Sequence, residues 1–153
     1  MKVLVIDLVH KVLMDELEKN GFLCDYRPDI ASEEALAELP NYDGLILRSK
    51  IKLTADVLEA NKHLKFIGRV GSGLENIDLD KARSLGIAVF NSPEGNRDSV
   101  GEHTIALMLN LLHKVCSSFD EIKQGKWRRE ENRGFELMGK QLALLALATW
   151  EAL

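Results

Sequence analysis

The chain has 153 residues, of which 46% are hydrophobic, and its formal net charge is −4. This length suits one domain with a buried core, or slightly more than one. Because the net charge is negative and the basic residues are scattered, a nucleic-acid binder is disfavoured. The chain opens with an apolar strand rather than a signal peptide, and no apolar run is long enough to cross a bilayer. Cys24 and Cys116 lack a metal-ligand spacing, so we expect reduced thiols and a cytoplasmic protein without membrane contact.

Apolar runs and helical spacings alternate along the first 91 residues. The runs predict strands over residues 2–7, 23–26, 44–47, 66–70 and 87–90. Between them, helical spacings begin at the capping residues Ser32, Thr54 and Asp78, and Gly21 and Gly86 stand where helices end. This alternation predicts a parallel five-stranded sheet covered by helices on both faces. A doubly wound, flavodoxin-like α/β fold is the natural candidate.

The strand over residues 66–70 opens into a glycine-rich loop. Gly71 and Gly73 form a G-x-G pair, but Asn76 stands where a dinucleotide fingerprint needs its third glycine. One interpretation is a nest of backbone N–H groups that binds an anion. The other is a glycine-rich turn without a ligand, and the loop alone favours neither.

Polar residues follow each predicted strand at the edge where such sheets bind ligands. Asp7 follows the first strand, Arg48 and Ser49 the third, and residues 91–96 the fifth. An arginine beside a backbone nest makes a site for a carboxylate or a phosphate, because the guanidinium offers two parallel N–H donors. The alternatives are a solvated surface charge at Arg48 and ordinary turn chemistry at Ser49.

Several segments in fixed order carry a family resemblance. They are RS at 48–49, LEA at 58–60, IGRVGSGLENID at 67–78, NSPEGN at 91–96, EHTIAL at 102–107, GKW at 125–127 and ELMGK at 136–140. With these motifs the chain resembles the D-isomer-specific 2-hydroxyacid dehydrogenase family over residues 1–140. No single segment is specific, but the combination is.

The resemblance implies a two-domain enzyme that transfers hydride between NAD and a small 2-hydroxy acid, with 3-phosphoglycerate the expected substrate. Residues 1–98 correspond to the substrate-binding domain, and residues 99–140 to a crossover helix, running to about residue 124, and a dimerisation arm. A homodimer through residues 99–140 is therefore expected.

The resemblance also implies a set of substrate-binding residues. They are Arg48, Ser49, Val70, Gly71, Ser72, Gly73 and Asn96. The backbone N–H groups of the glycine loop would hold the substrate carboxylate, Arg48 would help to hold the phosphate, and Asn96 would lie near the interdomain cleft. The catalytic arginine, glutamate and histidine of the family have no counterpart in this chain, and His103, on a predicted helix, is interpreted as structural. No catalytic residue or metal ligand is assigned.

The last thirteen residues, QLALLALATWEAL at 141–153, depart from the family pattern. Synonymous codons for residues 141–152, read one base out of frame, permit TVGIIGFGNMGS, a strand followed by G-x-G-x-x-G. We expect a frameshift, natural or from cloning, that replaced the start of the NAD-binding domain; an alanine-leucine helix is the alternative. We therefore expect this chain to bind NAD weakly or not at all and to lack dehydrogenase activity.

Other functions stay open. Within the family, a glycerate- or lactate-type substrate is the alternative. A non-catalytic dimeric scaffold of flavodoxin-like fold is a second class. A response-regulator receiver needs an acidic pair after the first strand and an aspartate after the third, but this chain has Asp7 alone and Arg48.

The coding DNA provides a test of the frameshift. We expect the displaced frame after the Lys140 codon to encode a strand and a glycine fingerprint. Sequencing the gene checks this, and a displaced frame without that fingerprint contradicts it.

Overall fold

The computed structural model describes residues 1–143. The chain divides into two compact units, Met1–Ser99 and Val100–Leu153. No helix among the described residues is long and apolar enough to cross a membrane. The part of the predicted tail from residue 144 onward, including Trp150, lies outside the described residues.

The first unit contains one parallel sheet of five short strands. The strands are β1 (Lys2–Val5), β2 (Leu23–Tyr26), β3 (Gly44–Leu47), β4 (Phe66–Arg69) and β5 (Ala88–Asn91). Their order in the sheet is β2-β1-β3-β4-β5. This is the flavodoxin-like order, so the predicted fold class is confirmed. The strand ends differ from the prediction by at most two residues.

Four short helices connect the strands, as predicted. They are α1 (Lys11–Lys19), α2 (Ser32–Glu38), α3 (Ala55–Ala60) and α4 (Leu79–Ser84). The carboxylate of Asp78 accepts a hydrogen bond from the N–H of Lys81 at 2.9 Å, which caps α4. Gly86 follows the C-terminal end of α4 and adopts a φ of +72°, in the left-handed region that favours glycine.

The predicted capping role of Ser32 is wrong. Ser32 is the first residue of α2 and Ala31 is its N-cap, without a side-chain cap hydrogen bond. The Ser32 hydroxyl instead donates to the carbonyl oxygen of Lys50 at 3.2 Å. The acceptor is eighteen residues away in sequence, so local spacing did not reveal it.

The two faces of the sheet are covered differently within the described residues. Helices α2, α3 and α4 pack on the face that carries Leu45, Leu47 and Ile67, and these side chains are fully buried. On the other face, α1 packs over Val3, Val5 and Ile46. Beyond α1, the Phe90 side chain on β5 is 61% exposed. The expectation of helices on both faces therefore holds only in part, because the second face is covered mainly over β1 and β3.

The chain continues into α5 (Glu94–Leu112), which runs from the first unit into the second, and α6 (Val115–Lys123). The prediction of one helix from residue 99 to about 124 is correct at its C-terminal end, where α6 ends at Lys123, but wrong in its start and in its continuity. The helix begins five residues earlier, and it breaks at Lys114, which adopts a left-handed φ of 53°. The side-chain oxygen of Asn110 accepts a hydrogen bond from the N–H of Cys116 at 3.0 Å across the break.

An aspartate that follows β1 holds the loop that follows β3. One carboxylate oxygen of Asp7 accepts hydrogen bonds from the N–H groups of Arg48, at 2.6 Å, and Lys50, at 3.4 Å. Because β1 and β3 are adjacent and parallel, their carboxyl ends lie side by side and the carboxylate spans the gap. Asp7 therefore has a structural role, in which it fixes the backbone that carries Arg48.

Asn76 ties the loop after β4 to the loop after β3. Its side-chain N–H group donates to the carbonyl oxygens of Ile51, at 3.2 Å, and Arg48, at 3.4 Å. Backbone hydrogen bonds between Leu53 and the residues on either side of Ile77 extend the connection. The two loops that carry the predicted site are therefore held together by side-chain and backbone contacts.

Replacing Asp7 tests this loop support. Asp7→Ala leaves the N–H groups of Arg48 and Lys50 without their acceptor, so we expect a loss of about 1.5–3 kcal/mol of unfolding free energy. Amide hydrogen exchange at Arg48 and Lys50 should accelerate. Asp7→Asn keeps an acceptor oxygen and should retain most of the protection. Unchanged exchange at both amides in Asp7→Ala would contradict the assigned role.

A buried tyrosine adds a pH-dependent contribution to the same unit. The residue Tyr42 is 3% exposed, and its hydroxyl donates to the Asp25 carboxylate. Burial first, and then the hydrogen bond to Asp25, raises the pKa of Tyr42 to about 12. Because the folded pKa lies above the usual value of 10, this stabilisation is complete below pH 10 and is lost as the pH rises towards 12.

Tyr42→Phe should therefore flatten the decline of stability in alkali. We expect the variant to lose about 1 kcal/mol at neutral pH. Its unfolding free energy should then fall less steeply than that of the wild type between pH 10 and 12, as measured by urea unfolding. Tyr26→Phe, at an exposed tyrosine, is the matched control and should follow the wild type. An equally steep decline in Tyr42→Phe would contradict the assignment.

Candidate functional site

The candidate site lies at the carboxyl edge of the sheet, where the loops after β1, β3, β4 and β5 meet. The loop of residues 48–50 and the loop of residues 70–76 lie next to each other, joined by Asn76. The structure therefore brings the predicted Arg48 and Ser49 to the same edge as the predicted glycine loop. Whether an acid binds there depends on which donors in the two loops are still free.

Only part of the predicted Val70–Gly73 nest has free N–H groups. The N–H of Val70 donates to the carbonyl oxygen of Leu47 at 2.8 Å, and the N–H of Gly71 donates to the carbonyl oxygen of Arg69 at 2.9 Å. Both are therefore already paired and do not fit the predicted role as ligand donors. Within residues 1–143, the N–H groups of Ser72 and Gly73 meet no acceptor. Two adjacent donors thus remain for a ligand.

The carbonyl groups of the same loop fix the direction of those two donors. The N–H of Ser92 donates to the carbonyl oxygen of Gly71 at 2.9 Å, and the side-chain N–H of Asn91 donates to that of Ser72 at 2.7 Å. Both carbonyls are thus turned towards the end of β5. In a trans peptide the C=O and N–H groups point in opposite directions. The N–H groups of Ser72 and Gly73 therefore point away from β5, side by side, as an anion nest requires.

Arg48 follows β3, on the other side of β4 from β5. Its side chain is exposed, and within residues 1–143 no carboxylate lies within 4.0 Å of its guanidinium. Ser49 is also exposed, and its hydroxyl makes no hydrogen bond within the described part of the chain. Both residues are free to bind a ligand, and Arg48 supplies a positive charge without an ion-pair partner.

A second arginine, which the sequence analysis did not select, lies in the same loop region. Arg69 is the last residue of β4, and its side chain is only 15% exposed. Its Nε–H group is buried and has no acceptor within residues 1–143. The guanidinium lies against Gly71, where an added Cβ would come within 1.6 Å of Nη1. Its position at a strand's carboxyl end matches that of Arg48, but nothing in the sequence signals its burial or its unpaired Nε.

The carboxylate of Glu75 lies beside this arginine. One of its oxygens is 3.7 Å from Nη2 of Arg69. The other lies 2.1 Å from the position that a Cβ on Gly73 would occupy, so the carboxylate rests directly against that glycine. The Glu75 side chain is nevertheless 73% exposed. A negatively charged group of the chain itself therefore lies against the glycine loop.

Asn96 lies in the first turn of α5 rather than in a loop. Its side chain is exposed and makes no hydrogen bond within residues 1–143. Its predicted role at the site therefore stays a prediction. His103 is exposed on the same helix. His10 is the N-cap of α1, where its Nδ1 accepts a hydrogen bond from the N–H of Val12 at 3.3 Å. Among the described residues, no group of three His, Cys, Asp or Glu side chains is placed to hold a metal ion.

The glycine loop does not fit a dinucleotide. A pyrophosphate cradle needs N–H groups at the start of a helix and a third glycine for close helix packing. Here the loop leads into a turn at residues 75–76 rather than a helix, Gly71 has already paired its N–H, and Glu75 places a negative charge against Gly73. The glycine loop is therefore unsuited to a pyrophosphate.

An apolar groove of about 670 Å³ on the α1 face of the sheet adjoins the glycine loop. It is lined mainly by apolar side chains, among them Leu13, Phe22, Phe66 and Phe90, and also by Arg69 and Val70. Phe22 and Phe66 pack edge to face, with ring centroids 5.9 Å apart. This lining suits apolar side chains rather than a small charged acid, so the groove is not part of the candidate acid site.

The chain is similar in sequence and in structure to several known dehydrogenases. A D-3-phosphoglycerate dehydrogenase of Archaeoglobus fulgidus is 40% identical over 147 residues, which are 96% of this chain and 28% of that protein. A hydroxypyruvate reductase of Thermotoga maritima is 40% identical over 76% of this chain and 38% of its own length. The solved structure of NAD+-bound 3-phosphoglycerate dehydrogenase from Entamoeba histolytica has a TM-score of 0.65 and 30% identity, over 74% of this chain and 40% of that one.

This chain therefore spans less than half the length of the proteins it matches. The family model for the catalytic domain of D-isomer-specific 2-hydroxyacid dehydrogenases matches residues 3–153. The resemblance noted in the motifs is thus confirmed over nearly the whole chain, and the chain belongs to the D-isomer-specific 2-hydroxyacid dehydrogenase family.

Proposed function

We propose that this chain provides the acid-binding part of an NAD-dependent D-3-phosphoglycerate dehydrogenase. The observation that carries the proposal is the pair of free N–H groups at Ser72 and Gly73, at the same sheet edge as the unpaired guanidinium of Arg48. The similarity to phosphoglycerate dehydrogenases over almost the full chain supports the same substrate.

The two kinds of donor suit the two ends of 3-phosphoglycerate. Adjacent backbone N–H groups bind a carboxylate in a fixed orientation, because the loop that carries them is already folded. Arg48 offers a fork of N–H donors and a full charge, which suits the phosphate. Ser49, the next residue, adds a hydroxyl donor. The chain would thereby orient the 2-hydroxyl carbon relative to a redox partner.

Bound NAD would supply the hydride acceptor of the complete enzyme. In our proposal the residues of this chain bind and orient the acid, and none of them is assigned to proton transfer. The poor fit of the glycine loop to a pyrophosphate supports the expectation that this chain alone binds NAD weakly or not at all.

A smaller 2-hydroxy acid is the second candidate substrate. The similarity to a hydroxypyruvate reductase favours it, since such a substrate lacks the phosphate. The two candidates differ in whether Arg48 contributes to binding. Its exposure and its lack of an ion-pair partner within the described residues favour phosphoglycerate.

We also propose that the second unit forms a homodimer through residues 99–140. Several large apolar side chains there are more than half exposed, and association would bury them. They are Val100, Leu107, Leu111, Phe119, Trp127, Phe135 and Met138.

Arg48→Gln should separate the two substrates. In an NMR titration of the ¹⁵N-labelled chain, both D-3-phosphoglycerate and D-glycerate should shift the Ser72 and Gly73 amides, because both carry the carboxylate. The substitution should lower the affinity for D-3-phosphoglycerate about tenfold, the effect of losing one charge-assisted hydrogen bond. The affinity for D-glycerate should stay almost unchanged.

Arg83→Gln is the matched control, since Arg83 is exposed on α4, away from this edge of the sheet. It should leave both affinities unchanged. Unchanged binding of D-3-phosphoglycerate by Arg48→Gln would show that Arg48 does not hold the phosphate and would favour the smaller substrate. Absence of any shift at Ser72 and Gly73 would contradict the acid site itself.

A further inference from the structure

We infer that Glu75 weakens acid binding at the candidate site: its carboxylate pairs with Arg69 and rests against Gly73, so an acid at the neighbouring free N–H groups meets a like charge and competes with Glu75 for Arg69. The inference rests on the proposed acid site and adds a residue that controls access to it. Three observations support it, at Arg69, at Gly73 and at the Glu75 side chain itself.

The first observation is the state of Arg69. Its side chain is mostly buried, and its Nε–H has no acceptor within residues 1–143. A buried donor without a partner is unfavourable, so an incoming carboxylate that accepts from it would gain a full hydrogen bond. At present the nearest anion is Glu75, at 3.7 Å from Nη2, which neutralises the charge without satisfying Nε.

The second observation is where the Glu75 carboxylate rests. It contacts Gly73 on the side where a Cβ would project, yet it accepts no hydrogen bond from the N–H of Ser72 or Gly73. The carboxylate therefore lies beside two free donors without using them. An acid that binds these donors would be within a few ångströms of a like charge.

The third observation is that Glu75 is free to move. Its side chain is 73% exposed, and its ion pair with Arg69 is its one contact with a basic side chain within the described residues. The pair is long, at 3.7 Å and without a hydrogen bond, and its carboxylate is largely in solvent, so displacing the carboxylate costs little. Glu75 thus weakens acid binding without closing the site, and it favours acids that offer Arg69 a stronger hydrogen bond.

Removing the charge should therefore strengthen acid binding. Glu75→Gln keeps the size of the side chain and abolishes the repulsion between like charges a few ångströms apart near the surface. We expect the chain to bind pyruvate, a monocarboxylate probe, roughly fivefold to tenfold more tightly at constant ionic strength. The measurement is the same titration of the Ser72 and Gly73 amides.

Two further variants separate the possible causes. Glu75→Ala removes both the charge and the bulk, and should bind at least as tightly as Glu75→Gln. Glu33→Gln makes the same change of net charge at an exposed position on α2 and should leave the affinity unchanged. In the wild type, pyruvate should also shift the Arg69 Nε–H resonance, because its carboxylate would displace Glu75 and accept a hydrogen bond from Nε.

The outcomes distinguish this inference from the proposed function. Equal or weaker binding by Glu75→Gln, with clear shifts at Ser72 and Gly73, overturns the role of Glu75 and leaves the acid site intact. An equal gain in Glu33→Gln also overturns it, because net charge then explains the effect. No shift in any variant, with either pyruvate or D-3-phosphoglycerate, overturns the acid site and the inference together.

Discussion

The candidate site depends on one carboxylate beyond the carboxyl end of β1, that of Asp7. Asp7 follows β1, the strand between β2 and β3. Its carboxylate accepts hydrogen bonds from two backbone N–H groups of the loop that carries Arg48. That loop in turn accepts from Asn76, which belongs to the loop with the free donors. The loops of the candidate site are therefore held together by a chain of hydrogen bonds across three strands. Preorganisation of this kind reduces the entropy lost when an acid binds.

Local features of the fold could be predicted from the sequence, and long-range hydrogen bonds could not. The five strands, the cap at Asp78 and the turn at Gly86 depend on residues close in sequence, and each was correctly placed. The hydroxyl of Ser32 and the start of α5 were wrongly placed. Ser32 finds its partner eighteen residues away, and nothing in the motif around residues 94–98 distinguishes a helix from a loop.

The same distinction explains the candidate site. Topology alone predicted that Arg48, Ser49 and the glycine loop would share one edge, because the carboxyl ends of parallel strands lie together. Which N–H groups remain free was not predictable, since the partners of Val70 and of the Gly71 carbonyl lie on neighbouring strands. Arg69 was missed for a related reason. Its sequence position resembles that of any strand end, and only its burial and its unpaired Nε distinguish it.

The two arginines at this edge of the sheet differ in exposure and in whether their charge is paired. Arg48 is exposed and unpaired within the described residues, so it attracts an anion from solution but holds it in competition with water. Arg69 is mostly buried, so each hydrogen bond it makes is stronger, but its charge is already balanced by Glu75. An acid with a single charge can bind Arg69 only if it displaces the Glu75 carboxylate. An acid with a carboxylate and a phosphate can engage Arg48 and the free amides at once, and it has more charge with which to compete for Arg69. Under the proposed function, this arrangement of charges would favour a phosphorylated hydroxy acid over a simple one.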